Sequence, residues 1–291
     1  MSRPTTHARF EADWLTLRES VDHASRASKL TEAASRWLTD GDAAMGHVVD
    51  LGSGRGSNLR YLAPRLPGSQ SWRLVDHDAE LLDDAQRSAR QLAEGSGRIG
   101  AIECVVADLA TDLDALLDGA SLVTAAALFD LASQAWMERL AAACAAQRAA
   151  VLFVLSVDGE IVFRCSQDDQ RVTDADDLFV LELLDAHQQR DKGLGVAVGT
   201  RAPEILEEAL VRHGYRVRIE ASPWHLGSDS NALAGALIEG WRDAATEQAP
   251  AEHERIHAWA RQRIAAVARG DLNIVVGHRD IFAVPAPGTG R

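Results

Sequence analysis

An aspartate followed by three alternating glycines is the feature of this sequence best suited to chemistry. Residues 48–56 read VVDLGSGRG. Glycine tolerates positive φ and has no Cβ, so a ligand can approach the backbone of such a turn closely. A carboxylate between Val49 and Leu51 is costly to bury unless a cation or a hydrogen-bond donor pairs with it. The pattern predicts a strand ending in a ligand-binding turn, with Asp50 beside a cationic or hydrogen-bonding ligand group.

The spacing of the glycines narrows the class of ligand. Dinucleotide-binding turns have the pattern G-x-G-x-x-G, in which the third glycine lies three residues after the second. Here the third glycine, Gly56, lies two residues after the second, and position 57 is Ser57. The spacing therefore favours a nucleoside cofactor other than a nicotinamide or flavin dinucleotide. On this motif alone, a strand-to-helix turn of some other doubly wound fold remains the alternative.

With this motif the sequence resembles the class I S-adenosylmethionine-dependent methyltransferases. In that family the glycine turn passes beneath the methionine part of the cofactor, and the leading acid, here Asp50, lies near the cofactor's ammonium group. The resemblance covers residues 46–157. It implies S-adenosyl-L-methionine as cofactor and S-adenosyl-L-homocysteine as product. The segments 187–193, 222–224 and 277–278 resemble a bacterial subgroup of this family, and that resemblance implies no particular substrate.

Two further acids follow predicted strands. Asp76 ends the second strand and Asp108 follows the third, and ligands of open α/β sheets bind at the carboxyl ends of the strands. A carboxylate can accept hydrogen bonds from two vicinal ribose hydroxyls, which makes Asp76 the ribose candidate. The alternative for each acid is a helix N-cap, and for Asp108 the two interpretations are even. The family resemblance implies that Asp108 and the backbone of Leu109 bind the adenine. The predicted cofactor-binding residues are Asp50, Gly52, Ser53, Gly54, Asp76, His77, Asp108, Leu109 and Ala126.

The predicted general bases lie on other segments. His187 ends a polar helix, Asp130 follows the fourth strand, and His225 follows a Pro-Trp pair. Because an unperturbed imidazole titrates near neutral pH, a histidine can take a proton from a hydroxyl acceptor. The candidate order is His187, Asp130, His225. A lone histidine is more often structural, and Asp130 can equally serve in capping the helix that starts near Ser133.

Residues that bind the methyl acceptor are predicted near the same segments. Arg190 and Lys192 lie in a polar run, and His278 follows a glycine in the last strand. The alternative is that the two basic residues complement the dipole of a solvated helix end. In the N-terminal helices, Arg18 or Arg26 could pair with a cofactor carboxylate, although a surface arginine on an amphipathic helix is the favoured interpretation.

Composition excludes several classes of function. The 291 residues carry a formal net charge of -13, which argues against a large nucleic-acid footprint. Three widely spaced cysteines form neither a disulfide framework nor a metal site, and they indicate a reducing cytoplasm. No apolar run is long enough to cross a bilayer, so we expect no membrane association. We expect no metal, and the oligomeric state is open.

The order of predicted elements indicates the fold. Strands and helices alternate through residue 157, which predicts an α/β fold with a doubly wound, mostly parallel sheet. The resemblance implies the Rossmann-like methyltransferase version of this fold, with inserted helices as a lid. We expect a single domain, 1–291, with N-terminal helices, a cofactor-binding core, a substrate side and a last strand at 1–40, 46–157, 158–270 and 271–285. The seven predicted strands are 46–51, 71–76, 102–106, 121–126, 150–157, 215–220 and 274–284.

Taken together, these features predict S-adenosylmethionine-dependent methyl transfer to a small-molecule acceptor by in-line displacement. One alternative is an NAD-dependent oxidoreductase on a related fold, against which Ser57 and the embedded Asp50 argue. The other is a non-catalytic protein that binds S-adenosylmethionine. This second alternative rests on Ser121, which stands where many members of the family carry an acid, and on the absence of an obvious base.

Overall fold

A computed structural model describes residues 12–40, 45–111, 113–188 and 193–287. Alternating strands and helices build one large sheet with helices on both faces. The strands are β1 Met45–Leu51, β2 Ser69–Asp76, β3 Ile99–Val106, β4 Leu122–Ala126, β5 Ala150–Cys165, β6 Tyr215–Ala221, β7 Trp224–Leu226 and β8 Leu272–Pro285. The helices are α1 Ala12–Ser25, α2 Ser28–Asp40, α3 Ser57–Leu62, α4 Ala79–Ser96, α5 Leu113–Leu116, α6 Gln134–Gln147, α7 Ala175–Gln188, α8 Ala202–Arg212, α9 Asn231–Gln248 and α10 His253–Ala268.

Local sequence determines where several helices begin and end. The Asp78 carboxylate accepts hydrogen bonds from the backbone amides of Glu80 and Leu81 and so caps α4. Gly97 ends the same helix with φ of 60°, a conformation that glycine adopts without steric cost. The Ser133 hydroxyl accepts from the Trp136 amide and caps α6. These boundaries were predictable because each depends on residues only a few positions apart.

The sheet has the strand order β3-β2-β1-β4-β5-β8-β6, with β7 paired to β8 outside this path. Strands β1 to β5 run parallel, while β8 is antiparallel to both β5 and β6. The order reverses at β1, between β2 and β4, which is where open α/β sheets form ligand crevices. The predicted α/β fold with a mostly parallel, doubly wound sheet is confirmed.

Three apolar cores hold the helices in place. One face of the sheet packs against α2, α3 and α4, and the opposite face packs against α5, α6 and α8. A third core lies where α7, α9 and α10 enclose the second half of β5 together with β7 and β8. At its centre Phe163 contacts Trp241 and Trp259 edge to face, with ring centroids 6.2 and 6.5 Å apart.

The predicted strand count and one strand boundary were wrong. Within the described ranges the sheet has eight strands, because the short β7 adds to the seven predicted, and β5 continues to Cys165 rather than ending at residue 157. Two irregularities in the β5–β8 register bend β5 before Val162 and Phe163 become buried in the third core. A Cβ at Gly277 would lie 2.0 Å from the Asp158 carboxylate, so the facing part of β8 requires glycine. Residues 158–160 have a turn-like sequence, so the sequence pattern did not predict that β5 continues beyond them.

Candidate functional site

A cavity of about 880 Å³ lies at the carboxyl ends of the parallel strands. Gly52 after β1, Asp76 at the end of β2, Asp108 after β3 and Ala126 at the end of β4 all line it. Helix α1 forms the opposite wall. The cavity therefore occupies the crevice that the strand-order reversal creates.

The glycine turn after β1 has the backbone that its sequence predicts. Gly52, Gly54 and Gly56 have φ of 63°, 49° and 76°, values at which a side chain is strained. A Cβ at Gly56 would lie 3.2 Å from the Cβ of Ala85, and a Cβ at Gly52 would lie 3.3 Å from the side chain of Leu128. Glycine is thus required both for the conformation and for the close packing of the turn under the cavity.

Asp76 connects two of the turns that surround the cavity. Its Oδ2 accepts a hydrogen bond from the Gly54 amide at 2.8 Å, and its Oδ1 accepts from the Asp78 amide at 3.0 Å. The exposed His77 ring lies 3.2 Å from the same Oδ1. Each carboxylate oxygen has further lone pairs, so Asp76 can hold the glycine turn and still accept hydrogen bonds from a ligand.

The turn after β3 forms another side of the cavity. The Asp108 carboxylate accepts from the Ala110 amide at 2.8 Å within a turn, and the next described helix begins only at Leu113, so this contact is not the helix N-cap weighed as the alternative. Leu109 is buried, and its carbonyl oxygen accepts from the Trp136 indole at 2.6 Å. Both residues line the cavity, and the turn contact leaves Asp108 Oδ2 available.

Asp50 lies beneath the cavity and is not among the described residues that line it. Only 1% of Asp50 is exposed, and its Oδ1 accepts from the Asn58 amide group at 2.8 Å. Its buried Oδ2 has no hydrogen-bond partner within the described part of the chain. Burial raises the pKa of this carboxyl to about 7. Asn58 does line the cavity, and it separates Asp50 from the open space.

Arg26, between α1 and α2, is buried rather than exposed, which corrects the favoured surface interpretation. Its Nη1 donates to Asn58 Oδ1 at 2.9 Å, and its guanidinium lies over the Tyr61 ring at 4.5 Å. Its Nε and Nη2 are buried and have no hydrogen-bond partner among the described residues. Burial lowers the pKa of this guanidinium. Arg26 therefore brings a positive charge with unused donors into the cavity wall.

Helix α1 contributes other residues that the sequence interpretation undervalued or missed. Arg18 forms an ion pair with Asp22 at 2.8 Å and lies over the Trp224 ring at 5.1 Å. His23, which was not predicted, lines the cavity with its Nε2 3.1 Å from the Ser57 carbonyl oxygen. The Ser57 hydroxyl lies at the same distance of 3.1 Å, so Nε2 either donates to the carbonyl or accepts from the hydroxyl, depending on the tautomer. Burial lowers the pKa of His23.

The predicted general bases are not brought together at the cavity. His187 lies at the end of α7, with its Nε2 3.2 Å from Glu247 Oε2 on α9. His225 is exposed on β7, and Asp130 is half-buried in the short 3-10 turn Phe129–Leu131. None of the three is among the described residues that line the cavity.

The predicted acceptor-binding residues are also away from the cavity or outside the described ranges. His278 is 3% exposed, donates from Nδ1 to the Val276 carbonyl at 2.9 Å, and stacks on Trp224 with ring centroids 5.0 Å apart. Burial lowers its pKa to about 4. His278 does not belong to the described lining of the cavity. Arg190 and Lys192 lie outside the described residues.

The described residues provide neither a metal-binding cluster nor a membrane-spanning helix. No cluster of three or more histidine, cysteine, aspartate or glutamate side chains suited to a metal ion was found among those residues. Within the same ranges, no helix has the length and apolar character needed to span a membrane.

No protein-family model matches this chain, and no curated protein sequence matches it. A phosphoethanolamine N-methyltransferase 2 from Haemonchus contortus, solved with phosphomonomethylethanolamine and S-adenosylhomocysteine, is similar at 11% identity and a TM-score of 0.47. That match covers 96% of this chain but 58% of the Haemonchus protein. A cyclopropane synthase from Mycobacterium tuberculosis is similar at 12% identity and a TM-score of 0.49, over 96% of this chain and 99% of its own.

A third solved structure is an S-adenosylmethionine-dependent methyltransferase from Thiobacillus denitrificans in complex with S-adenosylhomocysteine. It is similar at 20% identity and a TM-score of 0.44, over 95% of this chain and 98% of its own. Because all three TM-scores are below 0.5, these likenesses do not assign an activity to this chain. The geometry of the cavity must carry any functional conclusion.

Proposed function

We propose that this protein is an enzyme that transfers a methyl group from S-adenosylmethionine to a small-molecule acceptor. The observation that carries the proposal is Arg26, a cavity-lining residue whose buried Nε and Nη2 have no hydrogen-bond partner among the described residues. Asp280 offsets part of the cost of burying this cation, and the unused donors still favour a ligand anion beside them. The carboxylate of an amino acid can supply that anion, and S-adenosylmethionine carries such a carboxylate on its methionine part.

The remaining polar groups of the cavity suit the rest of this cofactor. Asp76 retains lone pairs for the two ribose hydroxyls, and Asp108 with Leu109 lies at the neighbouring strand end, where an adenine would follow. Asp50 lies below the turn, and an ammonium group bound above it would favour the ionised form of this carboxyl. An amino acid joined to a nucleoside thus fits both the charges and their order along the strand ends.

The protein's contribution to the reaction would be alignment and exclusion of water. When bound, the cofactor supplies an activated methyl group. Ala127, Leu128, Leu131, Leu155 and Leu194 give the cavity an apolar wall beside the end of β4 and the first half of β5. A dry wall that holds the acceptor in line with the methyl group lowers the barrier without acid–base chemistry. An amine or thiol that loses its proton before binding requires no base, and the base roles of His187, Asp130 and His225 remain predictions.

We also propose that the protein works in a reducing compartment such as the cytoplasm. Cys104, Cys144 and Cys165 are all free thiols, and Cys144 is buried. Oxidising compartments favour paired cysteines. Cell fractionation tests this proposal, and recovery of the protein from an oxidising compartment would contradict it.

Calorimetric titration with S-adenosylhomocysteine, S-adenosylmethionine and NAD tests the main proposal. We expect binding of both sulfur compounds and no binding of NAD. Tight NAD binding without S-adenosylhomocysteine binding would instead support the oxidoreductase. Cofactor binding without methyl transfer to any member of a panel of small amines, phenols and thiols would support the non-catalytic alternative.

The role of Arg26 has a matched control on the same aromatic ring. Arg26→Met should weaken S-adenosylhomocysteine binding by about 1.5 to 3 kcal/mol, the usual contribution of a charged hydrogen bond. Arg65 stacks on the same Tyr61 ring at 4.0 Å but is exposed and is not among the described cavity residues. Arg65→Met should leave the affinity unchanged. Equal effects of the two substitutions would reject Arg26 as the carboxylate partner.

A further inference from the structure

The last strand carries a buried aspartate that the proposed function does not use. Asp280 on β8 is 1% exposed. Its Oδ1 accepts from the Leu155 amide at 2.8 Å and from the Ser222 hydroxyl at 2.7 Å. Its Oδ2 accepts from the Ala27 amide at 2.9 Å and lies 3.8 Å from Arg26 Nε. A single carboxylate thus contacts three segments that are distant in sequence.

Two of these segments line the cavity. Arg26 belongs to the connection between α1 and α2, on the side proposed for the cofactor carboxylate, and Leu155 belongs to the apolar wall on β5. Asp280 itself is not among the described residues of the cavity lining. Its influence on a ligand must therefore pass through the residues that it contacts.

The distance between Asp280 and Arg26 has a specific consequence. At 3.8 Å the carboxylate is too far from Nε for a hydrogen bond, but it is close enough to offset the cost of burying the positive charge. Nε therefore makes no hydrogen bond to Asp280, and Nη2 also has no partner among the described residues. A shorter contact would have consumed one of the donors that a ligand carboxylate requires.

Leu155 depends on the same carboxylate. Its φ of 56° lies in the left-handed region, which is strained for a leucine. Such strain persists only where surrounding contacts hold the backbone. The hydrogen bond from the Leu155 amide to Asp280 Oδ1 is one of those contacts, and the strained residue faces the cavity.

We propose that Asp280 is a positioning residue that holds Arg26 ready for the cofactor carboxylate and, through Leu155, sets the apolar wall beside it. The inference rests on the proposed function and extends it. One buried group on the last strand would thereby keep the cofactor side and the acceptor side of the cavity in a constant relative position.

Two ligands that differ in the amino-acid part test this inference. S-Adenosylhomocysteine has the carboxylate, whereas 5′-methylthioadenosine lacks the amino acid and keeps the nucleoside and sulfur. Asp280→Asn should weaken S-adenosylhomocysteine binding by about tenfold or more, because the Arg26 side chain and the Leu155 backbone would lose the contact that positions them. Binding of 5′-methylthioadenosine should change less than about twofold. If Asp280 had a purely structural role, Asp280→Asn would weaken the binding of both ligands to a similar extent.

A double-mutant cycle identifies the residue through which Asp280 acts. If Asp280 acts through Arg26, Arg26→Met and the double variant Arg26→Met/Asp280→Asn should bind S-adenosylhomocysteine equally. Additive losses would overturn the inference. Failure of the unmodified protein to bind S-adenosylhomocysteine would instead overturn the proposed function, and the inference with it.

A milder substitution covers the case in which Asp280→Asn does not fold. Ser222→Ala removes one donor to Asp280 Oδ1 and leaves the charge in place. We expect about a two- to fivefold loss of S-adenosylhomocysteine affinity, with 5′-methylthioadenosine affinity unchanged. Equal losses for both ligands, or no loss for either, would contradict a positioning role.

Discussion

The turns after the parallel strands and the third core around β7 and β8 are held by different kinds of contact. Around the turns, carboxylates accept from nearby amides, as Asp78 does from Glu80 and Asp108 does from Ala110. In the third core, Asp177 on α7 accepts from Trp259, 82 positions away, and Asp22 on α1 accepts from Trp224, 202 positions away. Short-range contacts thus shape the proposed cofactor side, whereas long-range buried contacts hold the helices around β7 and β8.

The two regions also differ in the burial of charge. Asp76 and Asp108 line the cavity and accept from backbone amides, Asp108 within its own turn and Asp76 both within its own turn and from the glycine turn after β1. Asp177 is completely buried and pairs with the Arg263 guanidinium, whose Nε lies 2.8 Å from Asp177 Oδ1. A buried pair contributes little net stability, but removal of one partner leaves an uncompensated charge. This difference predicts that substitutions in the third core lower the free energy of unfolding, whereas substitutions at the strand ends lower ligand affinity.

The largest effect is expected in the third core. Asp177→Ala should lower the free energy of unfolding by about 3 kcal/mol, because Arg263 would lose its fully buried partner and keep only the more exposed Asp174. Neighbouring Asp176 forms an ion pair with Arg255 at 2.7 Å at the surface, and Asp176→Ala should lower it by less than about 1 kcal/mol. Urea unfolding of both variants measures the contrast. Similar losses of unfolding free energy in the two variants would show that the stability of the third core does not depend on buried charge.

A smaller effect, on affinity rather than stability, is expected at the strand ends. Asp76→Ala should weaken S-adenosylhomocysteine binding by about 1.5 to 3 kcal/mol, because charged hydrogen bonds to the ribose are lost. Asp83 is exposed on α4, so Asp83→Ala is a suitable control with unchanged affinity. Calorimetry measures both variants. Full affinity in Asp76→Ala would reject the ribose role.

The smallest net effect is expected in the pH dependence of stability, because one group from each region contributes with opposite sign. Asp50 has a pKa raised from 3.8 to about 7, so the folded state holds its proton more tightly and stability falls as pH rises through that range. His278 has a pKa lowered from 6.5 to about 4, so the unfolded state binds its proton more tightly and stability rises between those values. The two contributions largely cancel between pH 4 and 6.5.

Single substitutions should separate these contributions. Relative to the unmodified protein, Asp50→Asn should gain stability as pH rises from about 4 to 7. His278→Gln should lose stability, relative to the unmodified protein, as pH rises from about 4 to 6.5. Urea unfolding at pH 4.5, 5.5 and 6.5 measures both differences. Parallel pH profiles for all three proteins would mean that neither group titrates as its burial implies.

Much of the parallel half was predictable because its signals are local. The glycine turn, the acids after β2 and β3 and the caps of α4 and α6 each depend on residues close together in sequence. The end of β5 was not predictable in this way, because Val162 and Phe163 become buried only through helices that follow later in the chain. The short strand β7 likewise forms only because β8, about 50 residues later, lies beside it.

The sequence by itself determined the fold class, the glycine turn and the strand-end carboxylates, since backbone preference and hydrophobic pattern act over short ranges. Only the tertiary structure decided which charged residues lie inside. It buried Arg26 beside the cavity, placed Asp50 beneath it and left His187 and His225 away from it. The physical reason is that the burial of a charge depends on partners distant in the chain, such as Asp280 for Arg26, and no local pattern specifies them.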